Sequence, residues 1–116
     1  MRKLRNNLIG IDQGSKVLFS DFETDGVMWT GSGERSIAVN IRFSEAFLDP
    51  PTVMVGLAMW DLGQGTNARG DLSTRRITPT DFEIVFKTWE DTRVARIRAD
   101  WIAIGETRHR DDWDLG

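Results

Sequence analysis

Apolar and polar residues alternate through most of this chain. In ERSIAVNIRF, Ile37, Val39, Ile41 and Phe43 fall on one face and Ser36, Ala38, Asn40 and Arg42 on the other, the period of two expected of a half-buried strand. TVMVGLAMW directs Val53, Val55, Leu57 and Met59 inward, and its second face (Met54, Gly56, Ala58, Trp60) is small or apolar too, so this strand is expected to be covered on both sides. LSTRRIT reads as a strand, and DFEIVFKTW alternates Phe82, Ile84 and Phe86 with Asp81, Glu83 and Lys87. TRVARIRADWIAI sets Ala95, Ile97, Ala99, Trp101 and Ala103 against Val94, Arg96, Arg98, Asp100, Ile102 and Ile104, which makes Trp101 a core residue. A weaker strand is expected around KVLFSDF. LDPP, the Gly-rich DLGQGTNARGD and TPTD are turn or loop signals. No stretch has helical periodicity, and about six strands joined by turns indicate an all-β, six-stranded antiparallel β-sandwich. Residues 1–105 form this domain, and 106–116, ETRHRDDWDLG, form a charged tail, either frayed or docked through Trp113. Trp29 and Trp60 have no assigned place in the pattern.

One residue sits awkwardly. Continued past Lys87, the alternation puts Trp89 on the polar face, beside Glu90 and Asp91, where the strand runs into a turn. An outward indole next to hydrogen-bonding groups suits a sugar, which has an apolar C–H face and a rim of hydroxyls. It suits equally an aromatic packed in an interface or under a loop.

Composition removes alternatives. A chain of 116 residues makes one domain with one core. Eighteen acidic against fifteen basic residues, a formal charge of -3, give no field for nucleic acid or an anionic membrane. The absence of cysteine rules out disulfides and thiolate metal sites. MRKLRNNLIGIDQG has only LIGI as an apolar stretch, too short for a signal-peptide core or a membrane span, so neither classical secretion nor membrane insertion is expected.

Catalytic chemistry finds little support. The one histidine, His109, lies in the tail, and no GxSxG or Walker sequence occurs, so a nucleophile with a histidine base has no source. GQGTNARG is followed by strand-like sequence instead of a helix N-terminus and reads as a turn, not a phosphate cradle. The RGD at 69–71 is too short a match to carry weight, and Asp111 with Asp112, or Glu90 with Asp91, lack the convergent spacing a hard cation needs. No metal, cofactor or enzymatic activity is expected.

The order of SIAVNIRFSEAFLDPPTVMVGLAMWD and RGDLSTRRITPTDFEIVFKTWEDTRVARIRADWIAIG resembles the H-type lectin domain over roughly residues 8–105. The specific pieces are Phe47 to Val53, ITPTDF at 77–82, TWEDT at 88–92, DWIAI at 100–104 and the opening GIDQG at 10–14. The resemblance implies a trimer with shallow sites at the subunit boundaries for galactose-type sugars, especially N-acetylgalactosamine. It places the sugar-binding arginine on Arg69 and the aromatic on Trp89. Ser32 stands where the family has an aspartate, Thr30 where a snail member has glycine, and Glu90 where a histidine follows the tryptophan; Asp25 is an alternative source of the missing acid if its loop folds differently. Altered sugar specificity is the expectation. Arg96 and Arg98 share a face with Val94, Ile102 and Ile104 that reads either as a solvated sheet face or, in the trimer the resemblance implies and as the preferred reading, as an interface that buries their aliphatic parts and pairs the arginines across subunits.

The expected function is therefore carbohydrate binding by a homotrimer or higher oligomer, with a galactose-type or bacterial glycan as partner. The other class to consider is a structural or adhesion component of a phage-like particle or surface assembly, binding a protein or capsule polysaccharide through the same fold.

Overall fold

The computed structural model describes residues 1–5 and 8–108, so His109, Asp111, Asp112 and Trp113 lie outside the described residues. Each alternating run becomes a strand: β1 Ile9–Ser20, β2 Arg35–Arg42, β3 Thr52–Leu62, β4 Asp71–Arg75, β5 Asp81–Thr88 and β6 Val94–Glu106, with a single helical turn, α1, at Val27–Thr30. They form two three-stranded antiparallel sheets, β1-β6-β3 and β2-β5-β4. β1 is much longer than the segment around KVLFSDF and takes in the GIDQG opening; its two glycines and Asp12 break the apolar alternation. Gly14 is required by a close approach, because a Cβ there would lie 2.8 Å from the Trp101 indole nitrogen. The run expected to extend to Thr78 in LSTRRIT stops at Arg75, before Arg76, whose φ of 52° leaves the extended region.

Between the sheets the inward residues meet as the pattern requires. Phe82, Ile84 and Phe86 from β5 are 0–1% exposed, as are Ile97, Ala99 and Ala103 from β6. Phe43 stacks on Phe82 with centroids 5.4 Å apart, and Trp101 meets Phe82 edge-on at 5.4 Å.

Three register slips change which side chains go inside. β6 pairs Leu57 with Ala99 but Met59 with Arg98, which leaves Ala58 as an extra residue. Met59, expected inward, therefore sits opposite an outward arginine, and Trp60 moves to the side of Ile97. A second slip between Asp61 and Leu62 leaves Ala95 unpaired with β3, so Val94, expected on the outer face, is completely buried. The third, between Val17 and Phe19, buries both Leu18 and Phe19.

The outer face of the β1-β6-β3 sheet is uncovered in the single chain. Ile9, Ile11 and Met54 are exposed there and Ile102 and Ile104 half-buried. Arg96 finds its partner within the chain, Asp61 on β3 at 3.1 Å. None of the described helices is long and apolar enough to cross a membrane.

The ITPTDF segment is a local hydrogen-bonding device. The Thr78 hydroxyl bonds the Asp81 carboxylate at 2.6 Å and accepts the Asp81 backbone N–H at 3.1 Å, while Asn40 donates to the same carboxylate at 3.2 Å. The Thr78 bond and then the Asn40 bond hold the Asp81 carboxyl below its ordinary value against the opposing effect of burial, with the charge of Arg42 the least of the contributions. A lowered carboxyl stabilises the fold above the unfolded-state value, and that contribution is lost as pH falls through the folded-state value. Asp81→Asn is thus expected to flatten the stability profile below about pH 4 and to leave a residual neutral-pH deficit. Urea midpoints measured against pH test this; parallel profiles for the two proteins would contradict it.

Candidate functional site

β5 ends at Thr88 and the chain turns through Trp89, Glu90 and Asp91 before β6. Glu90 takes φ 59°, a left-handed conformation unusual for a side chain of its size, and at the tight reversal it makes Trp89 is 39% exposed. The two threonines flanking this turn are fully buried and reach across to the Gly-rich loop: Thr88 Oγ1 donates to the Arg69 carbonyl at 2.7 Å and Thr92 Oγ1 to the Asn67 carbonyl at 2.6 Å. TWEDT is therefore a clamp that fixes Arg69 relative to Trp89.

Trp89, Glu90 and Asp91 form one wall of an open groove of about 710 Å³, completed by Ser32, Gly33 and Glu34 from the loop before β2, Asp71 at the start of β4, and Lys87. Four carboxylates (Glu34, Asp71, Glu90, Asp91) face one lysine, which pairs with Glu34 at 3.4 Å and lies opposite Asp71 in register. The lining is thus strongly acidic around an aromatic platform. It suits a neutral or cationic ligand rich in hydrogen-bond donors.

Of the residues singled out in the sequence, Ser32, Trp89 and Glu90 meet in this groove. Arg69 joins it through Asp91: its Nη1 donates to Asp91 Oδ1 at 2.6 Å and to Thr92 Oγ1 at 3.1 Å. Its side chain is 23% exposed and also borders a smaller recess of about 210 Å³ with Trp60, Leu57, Phe86 and Ile97, where Trp60 finds its place. Thr30 and Asp25 do not line the groove; the Thr30 hydroxyl donates back to the Gly26 carbonyl at 3.1 Å, with the Asp25 carbonyl at 3.3 Å. Trp29 lies behind that loop, edge-on to Phe22 and covered by the Arg93 guanidinium at 4.2 Å. No group of three or more His, Asp or Glu side chains among the described residues is placed to hold a metal ion.

Sequence reading missed Glu34, Asp71 and Lys87 as groove residues. Lys87 was legible as an outward position of β5, but its meeting with Asp71 depends on the β4–β5 register.

The H-type lectin domain family matches residues 38–104. A protein of Fuscovulum blasticum described as ATP synthase subunits region ORF 7 is 52% identical over 107 residues, 92% of this chain and 93% of that protein. One of the discoidin-1 polypeptides of Dictyostelium discoideum is 37% identical over 75 residues, 64% of this chain and only 30% of that relative. Among solved structures, native recombinant discoidin II of Dictyostelium discoideum has the same fold, with a TM-score of 0.75 at 21% identity over 89% of this chain and 39% of that one.

Proposed function

This chain belongs to the H-type lectin domain family, and from that premise we propose that it is a carbohydrate-binding protein whose sugar site is the groove around Trp89. The observation that carries the reading is the half-exposed indole at an open groove with hydrogen-bonding side chains on either side. A pyranose stacks its C–H face on Trp89, and its hydroxyls donate to Asp91, Glu90 and Asp71 and exchange hydrogen bonds with Ser32. Arg69 holds one oxygen of Asp91 and leaves the other to accept from the sugar, so the arginine and the acid act as one unit. Thr30 and Asp25 contribute by shaping the loop that presents Ser32. Function is binding, without a chemical step.

The acidic lining bears on specificity. Ser32 offers a neutral hydroxyl in the loop before β2, while Glu34, Glu90 and Asp91 supply acceptors around it. We therefore expect blunted selectivity for simple terminal N-acetylgalactosamine, better binding to bacterial or amino-bearing glycans, and exclusion of sialic acid by like charge. The uncovered apolar face around Ile11, Met54, Ile102 and Ile104 supports a homotrimer with sites at its boundaries. Three shallow sites presented together turn a weak single-site affinity into useful avidity.

A glycan array probed at high protein concentration, with light scattering for mass, tests both halves. Galactose-type or bacterial glycans should be retained by a trimer, and Ile102→Glu should release monomers that lose avidity. A silent array would overturn the sugar reading in favour of a structural or adhesion role, and a monodisperse wild-type monomer would remove the boundary sites.

A further inference from the structure

The groove's two walls come from distant parts of the chain. One is loop 31–34, which carries Ser32 and Glu34; the other is turn 89–92. The side chain of Arg35 bonds both. Arg35 opens β2 directly opposite Thr88, the residue before Trp89, and is only 6% exposed. On the loop side its Nε donates to the Gly33 carbonyl at 2.9 Å, and Nη1 to the Met28 carbonyl at 3.2 Å and the Val27 carbonyl at 3.4 Å. On the turn side its Nη2 donates to the Thr92 carbonyl at 2.8 Å and the Glu90 carbonyl at 3.1 Å.

These contacts use the planar fork of the guanidinium in three directions at once, something a lysine ammonium on its flexible stem does not reproduce. The Glu90 carbonyl receives a second donor from the opposite wall, the Gly33 N–H at 2.9 Å. Both bonds converge on the residue with the strained left-handed backbone, and they hold the turn in that conformation. Burying a cation among carbonyls, with no carboxylate among the described residues paired to it, is costly; two of its bonds go to backbone carbonyls of α1, and the other three join the loop before β2 to the turn after β5. The bonds set the distance between Ser32 and the Trp89–Asp91 turn.

We infer that Arg35 is a positioning residue: it fixes the width of the groove and the orientation of Trp89, and through them the selectivity for ligand. The functional half of this inference rests on the groove being the sugar site; the geometric half does not.

The test compares the full-length wild type with Arg35→Lys, both labelled with 5-fluorotryptophan, the Trp89 signal being assigned by its loss in Trp89→Phe. In the folded variant the Trp101 signal should stay in place while the Trp89 signal shifts or broadens, and the Gly33 amide should exchange with solvent about ten-fold faster or more. Affinity for the best array glycan should fall about ten-fold, and its margin over the next glycan should shrink. Unmoved Trp89 and protected Gly33 in a folded R35K protein would overturn the inference. If wild type binds no glycan, the sugar reading fails, while the fluorine and exchange readouts still decide the role of Arg35. If R35K does not fold, the wild type decides: slow rotation of the Arg35 guanidinium by NMR supports the clamp, and free rotation overturns it.

Discussion

Trp101→Ala is expected to lower folding stability by about 3–5 kcal/mol, the range for emptying a packed aromatic site. Trp101 is 9% exposed on the inner face of β6, the central strand of its sheet, with Gly14 and Val55 opposite it on the two neighbouring strands. It packs edge-on against Phe82 and lies 6.0 Å from Phe43, within an aromatic cluster that joins the two sheets. Gly14 has no side chain to move into the space left behind, and Phe82 is itself pinned by stacking on Phe43. Partial collapse is therefore limited and the cavity cost is felt in full. Against a typical total stability of about 5–15 kcal/mol, the variant should unfold at much lower urea concentration. A loss below about 1 kcal/mol would mean that the core around Trp101 repacks freely.

Trp89→Ala should show the opposite profile. The residue is 39% exposed and stands outside the buried cluster, and the turn it opens is held by backbone and threonine bonds that do not involve the indole. Truncation should weaken binding of the best glycan by about 1–3 kcal/mol, roughly 5- to 150-fold in Kd, with the melting temperature nearly unchanged. Titration calorimetry and a thermal melt on the same sample separate the two effects. Unchanged affinity would move the sugar elsewhere, and a large drop in melting temperature would mark the indole as structural.

Sequence periodicity alone determined the fold class and most of the core. A strand with one buried face must alternate, and Ile37, Val39 and Ile41, or Ile97, Ala99 and Trp101, obey that rule without reference to any other strand. The exposed position of Trp89 followed from the same rule, because its departure from the pattern was visible within the one run DFEIVFKTW. Where a neighbouring strand sets the outcome, local reading failed. The slips at Ala58 and Ala95 sent Met59 outward and Val94 inward, since an extra residue is defined only by what it fails to pair with. Asp71 and Lys87 share the groove by register between β4 and β5, and Asp91 is oriented by an arginine 22 positions away. Arg35 reads in sequence as one polar residue at a strand start; its burial exists only because the α1 segment, with three carbonyls, and the 89–92 turn, with two, close on it from distant parts of the chain. Alternation is a property of one strand and its solvent, whereas the groove is made by contacts between segments far apart in the chain, whose meeting is decided by strand register and loop packing.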